Sequence, residues 1–440
     1  MQGSGRDEEV MALAAKHAAA LLRLFGLAGA GVAADHPALA WRRAGLMAVT
    51  GRADGPGLVA PVALTAAADG ALAALRALAP GASLPENGAL LLGERARMLG
   101  LARQGAVSAN GSCHLLSTAD GRLALNLPRK EDWELVPALL GEPAADWAVL
   151  KRIAATHPAA ALLEQGRLLG LAIAPDQAVP PPPAPFRMEC LAAPKPRTAV
   201  PLVVDLSALW AGPLAGALLA AAGAQVVKVE SVRRPDGARG GDQGFYHLLN
   251  AGKASVALDF ADAAEVEILR ALVRAADIVI ESARPRALAG LGIDAATEAR
   301  RGATWLSITA HGRTGNAANW IGFGDDAAVA GGVSAAMRQG WGESMFAGDA
   351  IADPLTGIIA AFAGWASFRA GGGRLISLAL SEVAAHACGL YAADGGELRQ
   401  WQALARSDEA PLYALREPQG VAAALGADTA EIRAGLKPPS

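Results

Sequence analysis

A chain of 440 residues is long enough for two or three domains. With 52% hydrophobic and 18% charged residues it can bury a large interior, much of it alanine, which favours closely packed helices. A formal net charge of -3 excludes the polycationic surface that neutralises a row of nucleic-acid phosphates, but leaves single phosphate groups open as ligands. The three cysteines, Cys113, Cys190 and Cys388, form no CxxC pair and have no histidine at metal spacing, so no metal is expected and a reducing cytoplasm fits them as small core residues.

The opening MQGSGRDEEV carries acids where a secretory peptide carries bases, so export is not expected. The remainder of the first region starts rich in helix. A strand at Leu123 to Leu127 then follows the turn Ala119-Asp120-Gly121, with helices at Trp133 to Leu140 and Pro158 to Leu169. Residues 1–177 are therefore expected to contain a smaller α+β domain. From Gln177 to Arg197 the chain reads QAVPPPPAPFRMECLAAPKPR, where proline fixes φ and removes amide donors, so 178–198 is expected to be a linker.

Beyond it, from 199 to 440, apolar runs alternate with helical stretches. The runs are Leu202 to Leu206, Val226 to Val229, Ser255 to Phe260, Ile278 to Ile280, Thr304 to Ile308 and Leu375 to Leu380. The helices include Leu214 to Ala222, Ala263 to Arg274 and Ile358 to Phe368. This pattern predicts an α/β fold: a Rossmann-like parallel sheet with helices on both faces and with functional residues gathered at the strand ends. The apolar stretch Pro354 to Phe368 is shorter than the roughly 20 residues that cross a bilayer and reads as a buried helix, so no membrane partner is expected. An internal echo links TAAADGALAALRAL to DPLTGIIAAFAG. With Gly70 laid on Gly357, Ala66 takes the place of Asp353.

Polar residues fall where the strands end: Asp205 and Ser207, Lys228 and Glu230, Glu281 and Arg284, and His311. The stretch Trp210-Ala211-Gly212-Pro213 opens a helix at a strand end, which offers amides to an anion. Glu230 suits a ribose hydroxyl, but the stretch is not GxGxxG and holds a proline, which counts against a nicotinamide site. Lys228, Arg233, Arg234, Arg239, Asn250, Lys253 and Arg284 make either a phosphate-binding rim or a solvated loop. Asp353 precedes an apolar helix, and its spacing alone favours an N-cap, a role compatible with a held, reactive carboxylate. Gly371-Gly372-Gly373 reads as a turn or as a loop that closes over a ligand. Asp325-Asp326 reads as a proton-sharing pair or as ordinary surface.

Taken together, these stretches resemble class III CoA-transferases, a family similar to α-methylacyl-CoA racemase. The resemblance rests on VVDLSALWAGPLAGALLAAAGAQVVKVE from Val203, PDGAR from Pro235, LLNAGKASVALDF from Leu248, ADIVIESARP from Ala276, LSITAHGRTG from Leu306, DPLTGIIAAFAG from Asp353 and GGGRLISLALSE from Gly371. CHLLSTADGRLALNLPRKEDWELVPALLG from Cys113 resembles the family's small domain, which here precedes the nucleotide-binding region. The first region thus resembles a degenerate large-domain remnant followed by a small domain.

The resemblance implies coenzyme A, presented as acyl-CoA, with Trp210, Ala211, Gly212, Lys228, Arg233, Arg239, Asn250, Lys253, Arg284, Gly372 and Gly373 around it. It implies Asp353 as the residue that attacks the thioester, a carboxylic acid as acceptor, and an interlocked homodimer. The family's racemases place a histidine just after the glycine of the Gly322 to Asp326 region. The residues here are Phe323, Gly324, Asp325 and Asp326, which favours transfer over racemisation. A non-catalytic CoA-binding or scaffold subunit is the remaining alternative.

Overall fold

The computed structural model describes residues 2–29, 32–196 and 200–435. The last two residues of the expected linker, 197 and 198, and the expected domain start at 199 lie outside the described residues.

Among the described residues, ten strands form two sheets. β1 (Cys113–Ser117), β2 (Arg122–Asn126) and β3 (Ala172–Pro175) make an antiparallel sheet in chain order. The large sheet holds β4 (Arg187–Cys190), β5 (Leu202–Leu206), β6 (Gln225–Ser231), β7 (Ala254–Leu258), β8 (Ile278–Glu281), β9 (Thr304–Thr309) and β10 (Arg374–Ala379). Their order is β4-β10-β9-β8-β5-β6-β7, and every pairing is parallel except that of β4 with β10. The chain reverses its direction of travel across the sheet at β5, which lies between β6 and β8. In open α/β sheets a ligand crevice lies at such a switch point, outside the carboxyl ends of the strands.

Side chains alternate across the sheet, as the two-residue period of a strand requires. Val203, Ile278, Ile280, Leu306 and Ile376 enter one core, while Val204, Val279, Trp305 and Leu375 enter the other. The second core is closed by the Ala263–Ala275 and Ala295–Arg301 helices. The first is closed by the Ala211–Ala221 helix and by the 18-residue Ala352–Arg369 helix, which is buried from Pro354 to Phe368. A helix apolar on all sides needs cover on all sides. The Leu64–Leu78 helix packs on its outer face, and the Leu13–Arg23 helix packs on that one in turn. Phe362, fully buried, meets Phe25 edge-on at 5.7 Å between ring centroids, a burial that contributes about 3 kcal/mol. The N-terminal helices and the large sheet therefore share one core.

The small sheet buries Leu116, Leu123, Leu125 and Ile173 under its own helices. Its other face sets Cys113, Leu115 and Ala124 against Val329 and Phe346, which docks it on the Gly324–Ala330 helix.

Several details differ from the sequence pattern. Within 178–198, residues Arg187–Cys190 form the edge strand β4, so part of that segment belongs to the large sheet. Asp353 is not an N-cap: the helix begins at Ala352, after Ile351, and Asp353 lies in its first turn. The stretch Trp133 to Leu140 divides into helices Lys130–Glu134 and Val136–Leu140, with Pro137 in the first turn of the second, where a missing amide is tolerated. Cys190 is exposed, whereas Cys113 is buried.

Candidate active site

The carboxyl end of β5 leads into Ser207–Trp210, where Leu209 takes a left-handed φ of 69° and donates its N–H to Asp236 Oδ1 at 3.0 Å. Gly212, in the first turn of the next helix, has a packing reason to be glycine: a Cβ there would lie 2.2 Å from Ser207 Oγ. Trp210 and Ala211 are buried, and the Trp210 ring meets Phe245 edge-on at 5.2 Å. The Ala352–Arg369 helix runs alongside. A Cβ on Gly357 would stand 2.7 Å from the Ala211 carbonyl oxygen, and Gly364 lies against Leu219. Both helices therefore start at the same end of the sheet, and Asp353, one turn before Gly357, is brought to the Trp210-Ala211-Gly212 corner.

Four carboxylates meet there. Asp325 accepts from the Ala350 N–H at 2.9 Å and from Asn110 Nδ2 at 3.0 Å; Asp326 accepts from Asn126 Nδ2 at 2.9 Å and from the Phe323 N–H at 3.0 Å. Asp349 forms an ion pair with Arg95 Nε at 3.2 Å, but neither of its oxygens takes part in a hydrogen bond. These three are 3% exposed or less, while Asp353 is only half-buried and its carboxylate has no hydrogen-bond partner among the described residues. The Asp353 Oδ2 atom faces the bare Cα of Gly324: a Cβ there would lie 2.4 Å from it and 2.4 Å from the Ala350 carbonyl oxygen.

Burial raises the Asp353 carboxyl to about 7; Arg95 opposes the rise, and Asp325, Asp326 and Asp349 add to it. Burial likewise lifts Asp326 and Asp349 to about 7 and raises Asp325. The Asp325-Asp326 pair is thus an interior acid cluster and not surface.

The expected phosphate rim divides in two. Lys253 Nζ spends its three donors on Asp205 Oδ2 at 2.8 Å, Pro213 O at 2.8 Å and Asn250 Oδ1 at 3.2 Å. Lys228 Nζ bonds Ser207 O and pairs with Asp236 Oδ2, both at 2.9 Å. Both lysines are buried, as is Asn250, so these three residues brace the crevice from inside. Arg239 grips Glu230 through two nitrogens and lies over the Tyr246 ring at 5.0 Å; Arg233 pairs with Asp259 in the open. Arg284 is exposed and has no acidic partner among the described residues. Partial desolvation, then the like charges of Arg286, Arg234 and Arg129, hold its guanidinium below its ordinary value. Arg284 is therefore, among the described residues, a cation without an acidic partner at the end of β8, with Arg286 and Arg234 near it, whereas Arg129, which also acts on it, is itself paired with Asp132 at 2.6 Å.

Gly372 and Gly373 are not brought to this site. They follow the far end of the Ala352–Arg369 helix, about 25 Å from Asp353 at 1.5 Å per residue. Their left-handed backbone, φ 71° at each, turns the chain into β10. The Gly373 carbonyl accepts from the Leu191 N–H at 2.8 Å, and a Cβ on Gly373 would meet Ala192 at 2.9 Å. The loop packs on 191–195 at the amino end of β10, away from Asp353 and the Trp210-Ala211-Gly212 corner.

His311 does approach the acids, with Nε2 4.0 Å from Asp326 Oδ2. Burial lowers it to about 4, so it is neutral, and both facing atoms are sealed without hydrogen bonds. Glu281 holds Trp305 Nε1 and Arg313, away from the acid cluster. Sequence reasoning missed Arg95, Asn110 and Asn126. All three come from the N-terminal region, and only the folded chain brings them to Asp349, Asp325 and Asp326. Among the described residues no group of His, Cys, Asp and Glu side chains is arranged to hold a metal, and no helix is long and apolar enough to cross a membrane.

The chain is similar to succinate–glutarate CoA-transferase of Agrobacterium fabrum, with 34% identity over 202 residues, 41% of this chain and 50% of that one. It is also similar to succinyl-CoA:glutarate CoA-transferase of Homo sapiens, with 29% identity over 216 residues, 45% of this chain and 49% of that one. The chain spans about half the length of these curated relatives. A hypothetical protein of Mycobacterium tuberculosis of solved structure aligns at 27% identity and a TM-score of 0.39, over 43% of this chain and 57% of that one. The description CoA-transferase family III matches residues 201–423, half of the chain. The chain belongs to CoA-transferase family III.

Proposed function

We propose that the chain is an acyl-CoA:carboxylate CoA-transferase in which Asp353 attacks the thioester. The observation that supports this most is that, of the four clustered carboxylates, Asp353 alone is both partly exposed and, among the described residues, free of hydrogen bonds. An oxygen committed to amides, as in Asp325 and Asp326, is a poor nucleophile; one that accepts no hydrogen bond beside a glycine is not so restrained.

The steps balance as follows. The Asp353 carboxylate adds to the donor thioester carbonyl and expels CoA thiolate, giving a mixed anhydride. The thiolate then attacks the aspartyl carbonyl, which releases the donor acid and leaves an aspartyl-CoA thioester. An acceptor carboxylate attacks that thioester and expels the thiolate again. Attack of the thiolate on the acceptor's acyl carbon yields the product acyl-CoA and returns Asp353. In this reading the 199–440 region binds CoA, with Trp210-Ala211-Gly212 beside the thioester. Arg284 and Arg233 attract the phosphates, while Lys228, Arg239, Asn250 and Lys253 shape the crevice from behind. The preceding parts, 1–177 and 178–198, complete the structure around it. The unpaired cysteines support a reducing cytoplasm, and the family resemblance supports a homodimer.

Racemisation gains nothing from His311 and Asp326, whose facing atoms are closed to a substrate. The test is covalent capture. Incubation with succinyl-CoA followed by hydroxylamine places a hydroxamate on the peptide that contains Asp353, and Asp353→Asn abolishes it. Deuterium exchange at the α-carbon of an acyl-CoA without such capture overturns transfer, and binding of CoA with neither leaves the scaffold reading.

A further inference from the structure

The echo between Gly70 and Gly357 is a repeated piece of architecture. A Cβ on Gly70 would stand 2.6 Å from Ala14 O and 3.1 Å from His17 Cβ; a Cβ on Gly357 would stand 2.7 Å from Ala211 O and 3.0 Å from Leu214 Cβ. Both glycines receive residues i and i+3 of a helix earlier in the chain. The Leu13–Arg23 and Leu64–Leu78 pair therefore repeats the Ala211–Ala221 and Ala352–Arg369 pair, and the two second helices pack on each other. The first copy has Ala66 where the second has Asp353. Its next helix, Gly88–Met98, runs beside the second copy's acids and carries Arg95, whose guanidinium lies 4.7 Å from the Trp210 ring centroid and 6.0 Å from that of Phe245.

We propose that Arg95, supplied by a first copy that has lost its own aspartate, is a positioning residue that ties the Asp349 carboxylate of the second copy, through their ion pair at 3.2 Å, to the face of Trp210 and sets a positive charge near Asp353. The groups that face Asp353 are Asp325 and Asp326 from the Gly324–Ala330 helix, Asp349 from the loop before its own helix, and Arg95, the one cation among them. With that cation removed, like charges in a desolvated pocket hold their protons more tightly, and Asp353 becomes a neutral acid instead of a nucleophile. This role rests on the thioester-attack reading, but its test does not depend on turnover.

The full chain, labelled with 13C at aspartate carboxyls, is titrated by NMR, with the Asp353 signal assigned by its loss in Asp353→Asn. The parent midpoint is expected near 7. Arg95→Gln is expected to raise it by about one pH unit, cutting the ionised fraction at pH 7 about five-fold, and Arg95→Lys is expected to restore it. If Arg95→Gln does not fold, Asp349→Asn carries the test: it removes a like charge and lowers the midpoint. An unmoved midpoint in a folded variant overturns the proposal. A midpoint that responds to Arg95 in a protein that forms no covalent adduct sinks the catalytic reading alone.

Discussion

Lys253→Met separates a bracing lysine from a ligand-binding one. Lys253 and Asp205 are 4% and 0% exposed, and the ammonium makes three hydrogen bonds. Burial opposes ionisation of Asp205, but Lys253 and then Lys228 outweigh it and hold its carboxyl below the ordinary range. Methionine fills the space of the aliphatic stem and leaves the Asp205 charge with Ser207 and the more distant Lys228. Breaking a buried pair from one side costs about 3–5 kcal/mol, because a charge is left without its partner. At roughly 2 °C per kcal/mol for a chain of this size, the thermal midpoint falls by about 6–10 °C. Asp205→Asn combined with Lys253→Met recovers part of the loss, since no charge is stranded. Scanning calorimetry reads the midpoint, and isothermal titration with CoA reads the affinity at a temperature where all variants are folded. Arg284→Gln is the counterpart: its melting stays within about 0.5 kcal/mol of the parent, while CoA affinity drops several-fold. If Lys253→Met melts like the parent and loses CoA affinity, the bracing assignment is wrong.

Gly324→Ala places a methyl 2.4 Å from both Asp353 Oδ2 and the Ala350 carbonyl. It is expected to destabilise by about 1–3 kcal/mol in chemical denaturation and to suppress covalent capture at Asp353, and parent-like capture refutes the close approach. Stability should also depend on pH in a set direction. Asp69, Asp326, Asp349 and Asp353 titrate near 7 when folded, against an ordinary value of 3.8. Between those values the folded chain holds protons that the unfolded chain has lost, so stability falls as pH rises from about 4 to about 7. Melting at pH 5 and pH 8 checks this, and a higher midpoint at pH 8 contradicts the acid cluster.

The neutral cluster also bears on when the proposed chemistry runs. A carboxyl near 7 gains charge as pH rises, so capture at Asp353 is expected to grow through neutrality, and its acid limb reports the electrostatics of Arg95 and Asp349 as much as those of Asp353 itself.

Local pattern was enough for the parallel sheet. Val203, Val204, Ile278, Val279 and Ile280 are apolar without a break because both faces of their strands are covered, and that requirement is written within each segment. Spacing alone read Asp353 as an N-cap, but it lies in the first turn of its helix, and it is the packing of Gly357 on Ala211 that brings it to the Trp210-Ala211-Gly212 corner. The short strands β3 and β4 were not legible in the local pattern, since each is defined by a partner elsewhere: Ala172–Pro175 pairs with β2, and Arg187–Cys190 with β10, nearly two hundred residues on. The functions of charged residues depended most on tertiary structure. Nothing in the order of residues distinguishes Lys253, sealed against Asp205, from Arg284, left facing solvent. Nor does it bring Arg95 to Asp349 or carry Gly372 and Gly373 away from the crevice. A charge takes its role from what lies within a few ångströms of it, and in this chain those neighbours come from segments that only folding brings together.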